Sequence, residues 1–203
     1  MFLKRLALVI FFAFFFISSP TKQSFNYVLA VDDPGSYVMK MTTEAINTLT
    51  DNSTSQNEKE SQFGKLFDKN FDVPSISRFV LGKYWKQASL DQKKKFIKAF
   101  RNYIVKTYSS RFNEYSGEQL TLLNFENESN PKIFLVHTAL ERDDAAMIKV
   151  DWRIGKKKDR YVILDIIIEG ISLAVTQRSE FVSVIDQNDG SIDKLISLLK
   201  DRT

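Results

Sequence analysis

Ala146-Met147-Ile148-Lys149-Val150-Asp151-Trp152-Arg153-Ile154 sets Ala146, Ile148, Val150, Trp152 and Ile154 on one side, and Met147, Lys149, Asp151 and Arg153 on the other. A period of two marks a strand with one buried face, because successive side chains of a pleated backbone point to opposite faces. Three more strand candidates flank it, Gln119–Glu126, Lys132–Leu140 and Tyr161–Ile168, joined by polar connections at 127–131, 141–144 and 155–159. Connections that short suit an antiparallel meander. The even-numbered apolar face recurs in the second strand (Phe134, Val136, Leu140) and the fourth (Val162, Leu164, Ile166, Ile168). The expectation is a sheet of about four strands with one apolar face that needs a cover.

Upstream of Gly117 the spacing lengthens to three and four. Val38, Met41, Ala45 and Leu49 predict a first helix after Pro34-Gly35-Ser36, and Asp51 to Asn57 reads as a loop. Phe63, Leu66 and Phe67 mark a shorter helix; Asp72, with Pro74 in the first turn, opens a third that carries Ile76, Phe79 and Val80. Ser89 and Gln92 form an S-x-x-Q capping box, in which each side chain satisfies the other residue's free amide. Beyond it Phe96, Phe100, Tyr103, Ile104, Tyr108, Phe112 and Tyr115 keep helical spacing. About 26 residues at 1.5 Å each predict a rod of roughly 39 Å. Its aromatic face reads most simply as core packing, and this helix above all is expected to cover the sheet. Downstream, one helix is expected from about Thr176 to Gln187, with Phe181, Val182 and Ile185 inward. Another follows Ser191, with Ile192, Leu195, Ile196 and Leu199 on one stripe. Helices, an antiparallel sheet, then helices is an α+β order.

The N-terminus is of a different kind. Lys4 and Arg5 precede twelve uninterrupted apolar residues, Leu6 to Ile17, and a polar break at Ser18 to Lys22. A bilayer-spanning helix needs about 20 apolar residues, so this run reads as the core of a cleavable signal peptide. Val28-Leu29-Ala30 points to a cut after Ala30, leaving 31–203 as one domain, with a cut near Ser19 as the rival and a retained membrane anchor as the alternative. Lys4, Arg5 and Lys22 leave with the signal, so 29 basic residues less these three face 25 acidic ones, a net charge of about +1. That balance supplies no electrostatic footprint for nucleic acid. The chain has no cysteine, which excludes disulfides, thiolate metal sites, a cysteine nucleophile and an acylated lipoprotein anchor.

Enzyme chemistry finds little support. His137 is the sole histidine and lies within a strand; Asp143-Asp144 read as turn residues; the glycines are scattered singly, with no phosphate-cradling loop. No catalytic or metal-ligating set emerges. Asp165 interrupts an apolar strand, and a strand aspartate can serve as a general base in a cone-shaped α+β pocket. In the even-face register, however, it points away from the helices. Lys156-Lys157-Lys158 reads as a solvated hairpin tip, with contact to an anionic membrane surface as the alternative.

Three segments go further. Leu81-Gly82-Lys83-Tyr84-Trp85, followed by the capped helix with Phe96 and Phe100, resembles the LG-[KR]-[YH]-W element of the MlaC family, also called the toluene-tolerance auxiliary proteins. Thr107-Tyr108 with Tyr115-Ser116-Gly117 is similar to its TY…Y-x-G segment. Asp165-Ile166-Ile167-Ile168-Glu169-Gly170-Ile171-Ser172-Leu173, then Arg178-Ser179-Glu180-Phe181, resembles its D-[VI]-x-[IV]-x-G-[IV]-S-L…R-x-x-F signature. The order holds from about Val31 to Leu199.

The resemblance implies a soluble, monomeric periplasmic phospholipid carrier that helps maintain outer-membrane lipid asymmetry. Its partners are then an outer-membrane lipoprotein complex and an inner-membrane ABC transporter with an MCE-type ring. The implied fold is an NTF2-like sheet and helices enclosing an apolar pocket for acyl chains, with the headgroup near solvent and no cofactor besides the lipid cargo. A diacyl lipid calls for a cavity at or above roughly 1,000 Å³, and each methylene withdrawn from water contributes about 0.8 kcal/mol. The expected lining is Phe79, Val80, Trp85, Phe100, Tyr103, Ile104 and Tyr108 from the helices, and Val136, Ile148, Val150, Trp152, Leu164 and Ile166 from the sheet. A solid core would use the same residue types. The competing readings are an exported NTF2-like enzyme acting on a small apolar substrate through Asp165 or His137, and a protein-binding module that holds no ligand.

Overall fold

The structure, a computed structural model, describes residues 33–203 apart from 52, 110–114, 116 and 143–144. The expected signal segment and its cut after Ala30 lie outside the described residues.

The meander is present. Strands β1 (Gln119–Asn127), β2 (Ile133–Arg142), β3 (Ala145–Lys157), β4 (Arg160–Ile168) and β5 (Ile171–Ser172) pair antiparallel in chain order. The fifth, two residues long, was not expected. It folds back because Glu169 (φ 49°) and Gly170 (φ 79°) both take positive φ, the geometry of the two-residue turn that matches strand twist. β3 also runs past Ile154 to Lys157, which narrows the following turn to Lys158-Asp159.

One irregularity changes which residues face the core. Ile154 pairs with Ile163, but Arg153 pairs with Asp165, so Leu164 is the extra residue of a β-bulge. The expected even face therefore does not run unbroken through β4. Ile163, not Val162, joins Val38, Met41, Val136, Val150, Trp152 and Ile154 in the core on the sheet. Asp165, expected to point away from the helices, is instead buried against the start of one.

The helices are α1 (Pro34–Leu49), α2 (Gln56–Asn70), α3 (Val73–Leu81), α4 (Tyr84–Gln87), α5 (Leu90–Ser109), α6 (Leu173–Asp186) and α7 (Ile192–Lys200). Side chains of Asp33, Ser55, Asp72, Ser172 and Ser191 cap five of these N-termini. The capping box opens α5: Gln92 N–H donates to Ser89 Oγ at 3.1 Å, and Ser89 N–H to Gln92 Oε1 at 3.0 Å. α2 starts inside the stretch read as loop, because Ser55 caps it and tertiary packing carries a first turn with little apolar content. α5 reaches Ser109; its expected continuation toward Tyr115 falls on 110–114, outside the described residues.

The cover on the sheet is α1, not the long α5. Val38 and Met41 of α1 pack on the sheet, whereas Phe96, Phe100 and Tyr103 of α5 pack with Phe181 of α6 in a helix-only core. The Phe181 ring meets those of Phe96 and Phe100 edge-on, with centroids 5.9 and 6.0 Å away, a favoured aromatic arrangement. Phe71 packs at the margin of both clusters. Among the described residues no helix is long and apolar enough to cross a membrane.

Candidate functional site

Between the two cores lies a cavity of about 550 Å³. That volume is inside the ordinary ligand range of roughly 300–1,000 Å³ and below the expected size; the rings of Phe67, Phe71, Phe100 and Tyr103 are part of its lining. α1 contributes Met41, Thr42, Ala45 and Ile46; α2 contributes Phe63 and Leu66; the sheet contributes Leu120, Leu140, Val150, Trp152, Leu164 and Ile166. The wall is overwhelmingly hydrocarbon.

Of the residues expected to line it, Val80, Phe100, Tyr103, Ile104, Tyr108, Val150, Trp152, Leu164 and Ile166 do so. Val136 is instead fully buried within the sheet-side core, and Ile148 packs at that core's margin. Phe79 is 41% exposed, with the Arg178 guanidinium 5.1 Å from its ring centroid. One residue along a helix is a turn of about 100°, so Val80 inside places Phe79 outside. Trp85 packs against the helix core with the Lys93 ammonium 5.5 Å from its ring. The lining from α1 and α2 was not chosen from sequence. Met41, Ala45, Phe63, Leu66 and Phe67 were legible as inward-facing, but periodicity does not separate a face that borders a space from one that borders a neighbour.

Trp152, Thr42 and Asn70 in this wall have their polar atoms bonded within the protein. Trp152 Nε1 donates to Thr138 Oγ1 at 3.0 Å, and that hydroxyl donates to the Val150 carbonyl at 2.6 Å. Thr42 Oγ1 donates to the Val38 carbonyl at 2.9 Å. Asn70 Nδ2 donates to the Leu66 carbonyl, while its Oδ1 accepts from Tyr37 at 3.2 Å. Burial pushes the Tyr37 hydroxyl up to about 12, against the pull of the Arg160 charge.

Asp165 lines the cavity yet is turned inward on the protein's own donors. Oδ1 accepts from the N–H groups of Ile166 and Ala174, both at 2.9 Å; Oδ2 accepts from Ser172 Oγ at 2.5 Å and Arg153 Nη1 at 3.2 Å. Such a carboxylate holds β4 to α6. His137 does not line the cavity: its Nδ1 lies 2.8 Å from Asp151 Oδ1. The cavity's polar corner is formed by Tyr103, Thr107, Thr176, Gln177 and Glu180. Burial pushes the Glu180 carboxyl above its usual range, opposed by the Gln177 amide (3.1 Å) and the Arg202 charge. Burial, with Glu180 second, also raises the Tyr103 hydroxyl. Among the described residues no group of three or more His, Asp or Glu is placed to hold a metal. The arrangement is equipped to hold an apolar ligand by exclusion of water.

A family model described as MlaC protein matches residues 39–201. The intermembrane phospholipid transport system binding protein MlaC of Haemophilus influenzae is 23% identical over 124 residues, 60% of this chain and 57% of that protein. The match thus spans less than two thirds of that relative. Toluene tolerance protein ttg2D of Pseudomonas putida is 21% identical over 173 residues, 83% of this chain and 80% of that protein. A phospholipid-binding protein from Ralstonia solanacearum, solved in complex with a phospholipid, superposes with a TM-score of 0.73 at 18% identity, covering 84% of this chain and 97% of that one. The likeness to that structure is one of fold.

Proposed function

Because the chain belongs to the MlaC protein family, we propose that it is a phospholipid-binding component of an intermembrane lipid transport system, and a carrier, not an enzyme. The observation that carries this reading is the apolar cavity of about 550 Å³ between α1, α2, α5 and the sheet. Thr42, Asn70, Trp152, Asp165 and Thr176 in its lining are bonded within the protein, so an acyl chain lying against them displaces water without breaking those bonds. At about 0.8 kcal/mol per methylene, a chain of moderate length is held without any directional contact. The proposed lining combines the expected residues that border the cavity with Met41, Ala45, Phe63 and Leu66. The headgroup stays at the mouth. As a carrier the chain works as a monomer in the periplasm, exported by the signal at 1–30. It takes lipid from or gives it to an outer-membrane lipoprotein complex and an inner-membrane MCE/ABC transporter, supporting outer-membrane lipid asymmetry.

The enzyme alternative gains nothing from the site. Asp165 is engaged by four internal donors, and His137 is outside the cavity. The test is compositional. Protein purified gently from cells, denatured and extracted with organic solvent, is expected to release about one phospholipid per chain by mass spectrometry. An extract with far less lipid than protein overturns the carrier reading.

A further inference from the structure

Of the lysine run at the β3–β4 turn, Lys157 is brought by the fold to a second group of cations. On α5, Lys94, Ile97, Lys98 and Arg101 recur at intervals of three and four, on the side away from Phe96, Phe100 and Tyr103. Across from them, Lys157 and Arg160 are direct partners in the hairpin and so share one face. These residues rim a groove of about 600 Å³, with Phe71, Val73 and Pro74 as its apolar floor.

The charges in the groove do not cancel. Arg101 is held by Asp68 through two bonds of 2.9 and 3.1 Å, and Lys157 is paired with Asp72. Arg160 donates to the Lys69 carbonyl at 3.0 Å, a neutral partner. Lys94 and Lys98 have no acidic partner among the described residues. Three uncompensated positive charges thus gather in one concave place, although residues 31–203 carry about +1 in all. A concave, apolar-floored site focuses such a field.

Two features identify the occupant. The free cations are exposed and spread over two elements, which suits a surface bearing many phosphates better than one enclosed anion. Phe71 also lines both the groove and the lipid-sized cavity, so whatever seats in the groove lies one aromatic ring from the hydrocarbon space. We infer that the groove docks the protein onto the phosphate headgroups of an anionic bilayer, with the cavity held alongside it. Docking stands on the groove alone; its use in lipid exchange rests on the carrier reading.

Vesicle co-sedimentation tests this with the full chain purified from cells, in low salt. Vesicles of equal parts phosphatidylcholine and phosphatidylglycerol are expected to retain the protein, and vesicles of phosphatidylcholine alone to leave it free. Raising salt should release it, as exposed charges are screened. Lys94→Gln/Lys98→Gln should weaken binding by roughly 30-fold, each lysine near an anionic surface being worth about fivefold. A control pair with the same charge change outside the groove, Lys40→Gln/Lys200→Gln, should bind as the parent does. Equal binding to both vesicle types, or equal losses from the two variant pairs, overturns the proposal. So does saturable binding of inorganic phosphate by calorimetry without vesicle binding, which would assign the groove to a free anion. Lipid extracted from the groove variant should match the parent. Absence of lipid from both sinks the carrier reading alone and leaves docking to be judged by the vesicles.

Discussion

Asp165 Oδ1 accepts the backbone N–H of Ala174 at 2.9 Å across a separation of nine residues, joining the bulged strand β4 to the first turn of α6. The same carboxylate holds Ser172, itself the N-cap of α6, and Arg153 on β3. A single side chain thus fixes sheet, turn and helix at one edge of the cavity. Asp165→Ala leaves the Ala174 and Ile166 amides and the Arg153 charge short of a partner. Hydrogen bonds to charged groups are worth about 1.5–3 kcal/mol each, and breaking a buried pair costs about 3–5 kcal/mol. Because Arg153 keeps Glu128 at 2.7 Å, the lower end applies, about 3 kcal/mol. Thermal unfolding should fall by about 6–12 °C at this chain length. A variant with parental Tm would show the network to be incidental.

Filling the cavity should remove the cargo and spare the fold. Ala45 lines the space from α1 and is half-buried, so Ala45→Trp adds an indole where the acyl chain is proposed to lie. The expected outcome is lipid content far below that of the parent, with an unchanged circular dichroism spectrum. Val150→Glu should also abolish lipid retention, but it places an unpaired charge in the core at a cost of several kcal/mol. The two variants therefore separate exclusion of lipid from loss of structure.

Much of this architecture was readable because local rules carried it. The alternation of Ala146 to Ile154 located β3, the S-x-x-Q pair located the start of α5, and Asp72 and Ser191 located two more caps. What was not readable depended on contacts across the chain. Nothing local in Val162-Ile163-Leu164-Asp165 announces that Leu164 bulges, since the bulge exists only in register with β3. The parity of β4 and the role of Asp165 followed from that slip. The cavity itself has no signature, for Phe100 and Phe96 obey the same helical spacing, yet only Phe100 borders it. Phe79 and Trp85 do not border the cavity for a related reason, as each lies against a cation that sequence does not put beside it.

Two carboxylates should imprint opposite pH trends on stability. For Asp72, burial alone would raise the carboxyl, but the Lys157 ammonium and the Ser75 bonds outweigh it and hold the group below its usual range. The folded state then binds the proton less well than the unfolded state. The stabilisation is present above the usual aspartate value of about 3.9 and is lost as pH falls through the depressed one. Glu180 is the reverse: burial raises it, so the folded state binds the proton better, and stability declines as pH climbs from the usual glutamate value of about 4.3 through the raised one. Glu180→Gln should therefore melt higher than the parent at neutral pH and lose that advantage near pH 4. Asp72→Asn, which keeps a capping side chain, should melt lower at neutral pH and converge with the parent in acid. Melting curves from pH 3 to 8 check both signs.

Gly82 explains physically why a glycine follows Leu81 in the segment that resembles the family element. It ends α3 at φ 58° and ψ −131°, a region that a side chain makes costly and that glycine enters freely. A Cβ there would also meet Arg178 Nε at 3.1 Å and Val182 Cγ2 at 3.3 Å. Strain of this kind costs about 1–3 kcal/mol, and the contacts add to it, because Arg178 is held over the Phe79 ring. Gly82→Ala should lower Tm by about 4–10 °C. The damage should be to the packing of α3 on α6 at Arg178 and Val182, neither of which lines the cavity, so lipid extracted per folded chain should stay near the parental value. A variant that melts normally would refute the strain argument. One that stays folded but empties of lipid would instead tie this turn to the cavity.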